Sequence, residues 1–466
     1  MMPINIFSII LTLLVTYLLC KRDTMHKRFV NLVSLAVIIH ISAIRGYYLL
    51  LGKKTEVGYD LAISLILLVF TIVYVYRRKI TFSKTGIVFS CFFVLVAMMS
   101  VLYEFFLPYE NFIIDNATLA VAWDDYIVGN VVKVHVTIGW TRLINYFTFA
   151  FSYFIVLLAL KETGTRDDLL CIVRRVNKFI PFVVGFVILE AIAKNVFGNI
   201  TIYETIVEVI FGAGSSTFTG LLERGEGYYQ LQGLSREPAH LAFMLYWGII
   251  FILLEKKILT KQLLTISDKT KILLMSLVMI ASGSFSTFIY LGISLIFSLW
   301  IFLSEYKIKR VYKICGMAMF IIAVIGVYNY FSHLDETSYL GQRIALTWLA
   351  IDLIRSGTGV GTGASSSLAR FISLYDTGWD YLHRPILGLG PNVQVAHGGL
   401  INMLSDVGIA GVFCWWKASL SKYHYKFMPI IILLLFPNLI LGVLTINTSF
   451  ALYTPILIEC FRKNEF

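Results

Sequence analysis

Leu61-Ala-Ile-Ser-Leu-Ile-Leu-Leu-Val-Phe-Thr-Ile-Val-Tyr-Val-Tyr76 runs without a charge straight into Arg77-Arg78-Lys79. A helix rises about 1.5 Å per residue, so such a run with its flanks crosses a hydrocarbon core about 30 Å thick. The pattern repeats along the chain. Apolar spans lie at 4–20, 29–51, 61–76, 87–107, 140–160, 179–197, 238–254, 272–281, 285–303, 314–330, 399–414, 427–444 and 448–459, about thirteen in all. Over 466 residues the chain is 58% hydrophobic and 14% charged, with a mean hydropathy of +0.79. An ordinary soluble chain is roughly 25% charged. Gly (33) and Pro (9) are too few for a fibrous or disordered chain. The expected class is an all-α, polytopic membrane protein of 12–13 helices, forming a single membrane domain over 1–466.

The 39 Lys and Arg exceed the 28 Asp and Glu, leaving +11. In a soluble protein that excess would suggest nucleic acid; here it reads as the positive-inside bias, and no nucleic-acid partner is expected. The loops at 21–28, 77–86, 161–178, 255–271, 304–313, 415–426 and 460–466 hold 27 of the 39 bases. The alternate loops, although longer, hold nine: Lys53, Lys54, Lys133, Arg224, Arg236, Arg343, Arg355, Arg370 and Arg384. This split places the N-terminus outside and the C-terminus inside, with outer segments at 108–139, 198–237 and 331–398. No basic n-region precedes the first apolar run and no A-x-A site follows it, so it is read as a span.

The six cysteines, Cys20, Cys91, Cys171, Cys315, Cys414 and Cys460, fall in spans or on the inner side, which gives no disulfide framework. No tandem repeat is visible. Residues 359–364 fit G-x-G-x-x-A formally, but no strand precedes them and no helix opens on them, so the Ser356–Ser367 run reads as a linker in the late outer loop.

Two outer segments carry candidate chemistry. In Gly233-Leu-Ser-Arg-Glu-Pro-Ala-His240, the residues Arg236, Glu237 and His240 arrive where a span opens at Pro238. Glu237 suits a helix N-terminus and Arg236 can snorkel, so an anchoring role competes with a binding one. Later come Arg370-Phe-Ile-Ser-Leu-Tyr375, Arg384-Pro-Ile-Leu-Gly-Leu-Gly390 and Ala396-His397, just before another span. A helix N-terminus and partial desolvation both keep an imidazole neutral, as a general base near pH 7 requires. An interfacial histidine held by a carbonyl is the bland alternative. Outer arginines near the bilayer, Arg236, Arg343, Arg355, Arg370 and Arg384, suit a diphosphate, because the guanidinium fork binds phosphate oxygens and keeps its charge. Ser282-Gly-Ser284 reads as a tight turn whose hydroxyls could contact sugar.

Inside spans, Arg45, Glu190 and Asp406 stand out. Asp406 lies nine residues beyond His397, about 13 Å along a helix, too far for a triad. No H-x-x-x-H or C-x-x-C occurs, and Asp124-Asp125 is the only adjacent outer carboxylate pair, so no metal and no cofactor are expected.

Ser235-Arg-Glu-Pro-Ala-His240, Ser282-Gly-Ser284 and a late outer loop reading Arg370-Phe, Pro385-Ile-Leu-Gly-Leu-Gly390, His397, Leu400, Leu404, Gly408 and Gly411 follow one another in order. Over about residues 100–460 the chain resembles the bacterial O-antigen ligase and oligosaccharide repeat-unit polymerase superfamily. The resemblance implies a glycosyltransferase that takes glycan from undecaprenyl diphosphate, without a nucleotide sugar, on the outer face of the cytoplasmic membrane. It implies His397 as the base, Arg236 and Arg370 on the diphosphate, and Arg384 or Arg343 as further ligands, with Glu237, His240, Ser282 and Ser284 around the substrate. Membrane lipid, a chain-length regulator and a flippase of the same pathway are the implied partners. Gly398 stands where the family histidine is commonly followed by Asn, and neither Arg343 nor Arg370 keeps the ten-residue spacing to glycine described for polymerase loops. A repeat-unit polymerase is the leading reading and a ligase using lipid A core or another acceptor the rival. A transporter or flippase would call for inverted repeats and broken spans in matching halves, which the sequence does not display. Arg236, Arg370 and His397 are expected to line one outward pocket.

Overall fold

The computed structural model describes residues 5–42, 44, 47–51, 55–106, 110–114, 131–135, 140–198, 200–212, 231–235, 238–282, 284, 286–305, 382, 384–390, 399–420, 428–436 and 452–463. Among these the architecture is helical: α1 Ile6–Cys20, α2 Met25–Ser42, α3 Tyr59–Arg78, α4 Lys84–Phe106, α5 Trp140–Thr163, α6 Arg166–Asn195, α7 Ile200–Phe211, α8 Pro238–Leu253, α9 Ile266–Ala281, α10 Ser286–Glu305, α11 Gly399–Leu420, α12 Met428–Phe436 and α13 Tyr453–Arg462. Among the described residues five helices, α3, α4, α5, α6 and α8 with its extension, are long and apolar enough to cross a membrane. Large apolar side chains such as Leu65, Val69 and Ile72 of α3 and Phe92, Leu95 and Met99 of α4 stay exposed. Those helices are apolar on the outside as well as the inside, the mark of a membrane-embedded protein.

Helix α8 is the central post, with every side chain but His240 buried from Pro238 to Leu253. Its aromatic rings organise the neighbours: Trp247 sits 4.5 Å from Tyr453 of α13, and Tyr246 stacks 5.3 Å from Tyr290 of α10. Beyond Leu253 the chain widens into a π-helical turn, Leu254–Leu259. Several hydroxyls within the bundle bond one turn back, as Ser34 does to the Val30 carbonyl and Thr71 to that of Leu67, which satisfies them in apolar surroundings.

Three findings depart from the apolar spans, the first being that α6 begins at Arg166, inside the 161–178 segment read as a loop ahead of the 179–197 run. The 29–51 run does not make one helix: α2 ends at Ser42, and β1 Leu49–Leu51 pairs antiparallel with β2 Thr55–Val57. A short apolar run closed by Gly52-Lys53-Lys54 has hairpin grammar that hydropathy alone does not read. The segments read from charge as outer also hold structure: β3 Glu110–Ile114 pairs antiparallel with β4 Val131–His135, and α7 lies within 198–237.

Polar groups gather at two opposite ends of the bundle. At one end, His26 of α2 links Tyr74 of α3 to Asp168 of α6, both at 2.8 Å. There too Ser83 donates to Glu162 of α5, and the Arg166 guanidinium donates to the Leu259 carbonyl. The Arg462 guanidinium reaches the Lys161 carbonyl at 2.6 Å. Every one of these residues lies in or beside a base-rich loop, so those loops share one end of the bundle and successive helices alternate in direction. The starts of α3, α5 and α8 and the ends of α2, α4 and α6 therefore share the other end.

Candidate functional site

Along its whole length α4 presents one face in steps of four and three residues, running to the other end: Gly86, Ser90, Phe93, Ala97, Ser100 and Glu104 are its buried positions. This is a narrow seam of the kind that pairs helices, with small residues letting backbones approach. It packs on α5, where Phe93 meets Phe154 at 5.1 Å, and α4 also pairs extensively with α11.

The top of the seam grips the Arg384–Gly390 turn. Glu104, 3% exposed, takes a hydrogen bond from Arg384 Nη1 at 2.6 Å. The same guanidinium lies 4.4 Å from the Tyr103 ring centroid. One turn down, the Ser100 hydroxyl donates to the Leu387 carbonyl. Residues 100, 103 and 104 share one side of a helix by spacing, so three contacts of different kind hold one turn of chain.

The turn in turn fills a break in α11. Gly408 leaves helical geometry at φ 63°, ψ −172°, a region open essentially to glycine. The amides freed there find carbonyls of the turn: Ile409 donates to Pro385 at 2.9 Å and Ala410 to Ile386 at 3.1 Å. In return the Leu389 amide donates to Ser405 at 2.6 Å, and Gly388 closes its own turn on the Arg384 carbonyl at 2.8 Å. A Cβ on Gly388 (φ 75°) would stand 2.6 Å from the Ser405 carbonyl oxygen, and one on Gly408 would strike the Ile386 carbonyl. Two glycines thus interlock the backbones. Beside the break, buried Asp406 lies within electrostatic reach of the Tyr146 ring on α5.

The approach to α8 is built from a different charge. Glu190 of α6 pairs with Lys194 at 2.8 Å, both nearly sealed, and its second oxygen accepts the amides of Gln232 at 2.9 Å and Gly233 at 2.6 Å. Ser235 forms an isolated bridge with Ile44. These bonds fix the chain three residues before Pro238. Glu190 is therefore a clamp on backbone, and its charge is met by Lys194.

Of the sequence candidates, Arg384 is placed at the centre of the α4–α11 site, in an ion pair. His240 sits on the first turn of α8. Ser282 is fully buried, its hydroxyl donating to the Met279 carbonyl at 2.6 Å, while the Ser284 amide approaches that hydroxyl at 3.4 Å. Ser282 closes α9, and its hydroxyl is turned to backbone. His397, Arg236, Arg370, Glu237 and Arg343 lie outside the described residues, as does Arg45. Among the described residues no group of three or more His, Cys, Asp or Glu side chains could hold a metal ion. Five cysteines are free, and Cys315 lies outside the described residues.

Sequence reasoning passed over Glu104 and its neighbours Ser100 and Tyr103. The signal was present: a carboxylate in an otherwise uncharged span invites a functional reading by default. Its partner stands 280 residues away and carries no local clue. Comparison of the chain with models of known protein families finds no match, and comparison with curated proteins finds none either.

Proposed function

We propose that the protein is a membrane glycosyltransferase that polymerises undecaprenyl-diphosphate-linked oligosaccharide repeat units into a surface polysaccharide on the outer face of the bacterial cytoplasmic membrane. One observation carries the reading: the Arg384–Gly390 turn and the broken helix at Gly408, two parts of the resemblance set apart in sequence, interlock at the end of the bundle away from the base-rich loops. Non-helical backbone at membrane depth is tolerated where it is buried in protein or lines a water-filled cavity, and it recurs at substrate sites. An arginine at that place supports an anionic, lipid-borne substrate.

In the chemistry proposed, an acceptor hydroxyl attacks the anomeric carbon of the donor glycan while the bond to the diphosphate oxygen breaks. His397 takes the hydroxyl proton, and Arg236 and Arg370 stabilise the charge that develops on departing undecaprenyl diphosphate. A single displacement of this kind inverts the anomeric centre.

The test reconstitutes purified protein in liposomes with lipid-linked repeat units from the source cells and no nucleotide sugar, and reads product length on a gel. A ladder from the wild type that is lost in His397→Ala, with folding confirmed, is the expected result. A single transfer onto added lipid A core would make the protein a ligase instead. Lipid-linked sugar crossing the bilayer without a new glycosidic bond would make it a flippase and overturn the proposal.

A further inference from the structure

The Glu104–Arg384 pair bears on what the outer arginines do. Arg384 is not presented as an isolated cation. Its Nη1 is bound to Glu104, its plane rests over Tyr103, and its own carbonyl closes the turn through the Gly388 amide. The pair is nearly sealed, with side-chain exposures of 13% for Arg384 and 3% for Glu104. In surroundings this dry the charges are little screened, so the guanidinium has one strongly preferred position. The backbone that carries it is fixed independently by Ser100 on the Leu387 carbonyl and by the glycine interlock with α11. Arginine loses much rotamer freedom when it binds a ligand, and a guanidinium already oriented escapes most of that cost.

We propose that Glu104 is a positioning residue: it holds the Arg384 guanidinium in the orientation in which it contributes to binding a lipid-borne diphosphate at the outer end of α4. The inference rests on the glycosyltransferase reading given above. It assigns α4, which none of the sequence motifs includes, a direct part in shaping the site. It also makes Arg384 and Glu104 one unit, so that removing either has the effect of removing both.

That last statement gives the test. Wild type, Glu104→Gln, Arg384→Gln and the double variant are purified into nanodiscs, and undecaprenyl diphosphate is titrated against the monodisperse fraction of each, with melting temperature recorded in parallel. Loss of one charge-assisted contact corresponds to about tenfold weaker binding. Each single variant is expected to bind about tenfold more weakly than wild type, and the double variant no more weakly than Arg384→Gln alone. Unchanged or tighter binding by folded Glu104→Gln would overturn the proposal; tighter binding would identify the carboxylate as a competitor for Arg384. Additive losses in the double variant would overturn it too, because Glu104 would then act apart from Arg384. Should wild type fail to bind the probe, the glycosyltransferase reading falls and takes the inference with it. Wild-type binding with indifferent Glu104 variants sinks the inference alone.

Discussion

At the scale of single residues, the buried charges of this protein hold backbone in place. Glu190 makes this point plainly, since its two oxygens serve Lys194 on one side and the amides of Gln232 and Gly233 on the other. Breaking a buried pair leaves an uncompensated charge, which costs about 3–5 kcal/mol. Glu190→Ala is expected to lower the melting temperature in detergent sharply, and adding Lys194→Met should recover part of the loss; a variant melting with wild type would remove the clamp. Asp268 does related work at the basic end. Burial works to raise its carboxyl, yet hydrogen bonds from Thr265 and the Lys256 ammonium at 3.4 Å outweigh that and hold it below the usual carboxylate range. A depressed native pKa means stability that is present above the unfolded value of about 3.9 and is lost as pH falls through the native value. Wild type should therefore melt above Asp268→Asn at pH 7, with the two curves converging as pH falls below the usual carboxylate range. A gap that persists at low pH would show that the side chain acts by shape and not by charge.

At the scale of elements, the broken helix α11 is the feature that hydropathy cannot foresee. The run from Gly399 to Cys414 is apolar enough to read as one span, and nothing local says that Gly408 leaves the helix; the reason lies in the distant Arg384–Gly390 turn that caps it. Gly408→Ala must place a Cβ against the Ile386 carbonyl in a region of φ and ψ that costs about 1–3 kcal/mol for other residues. It should melt well below wild type, and Gly388→Ala, which crowds the Ser405 carbonyl from the other side, should behave alike. Because both disturb one contact, the double variant should lose less than the sum, measured by thermal unfolding; strict additivity would mean that the glycines do not interlock. The start of α8 is legible, since Pro238 lies where the apolar run begins. The starts of α6 and α9 are not read by hydropathy: both helices open ahead of the 179–197 and 272–281 runs, at the capping boxes Thr165-Arg-Asp-Asp168 and Thr265-Ile-Ser-Asp268. The hairpin at 49–57 and helix α7 were missed because length and polarity, not turn chemistry, set the spans. Of the site, Arg384 was visible as an outer arginine, whereas the need for Glu104 appears only when a contact across 280 residues closes.

At the scale of the whole molecule, the charge asymmetry read along the chain and the packing of its helices make the same division. Each residue joining α2, α3, α5, α6, α8 and α13 through His26, Arg166 or Arg462 belongs to the base-rich set, while Glu104, Glu190, Arg384 and Gly408 sit toward the other pole. A bundle whose loops had been assigned to the wrong sides would mix the two sets, because a helix that enters at one face must leave at the other. The positive-inside bias predicts that the basic pole is cytoplasmic and the Arg384 turn outside. Two positions read this out. Ile386 in the turn is 68% exposed, and Arg22 in the first basic loop is exposed as well. In a background with the native cysteines replaced, a membrane-impermeant maleimide applied to cells with a permeable outer layer should label Ile386→Cys and spare Arg22→Cys until the membrane is opened with detergent. Labelling in the reverse order would turn the molecule over, placing the Glu104–Arg384 site in the cytoplasm, where a reaction that builds surface polysaccharide from lipid-linked units has no place.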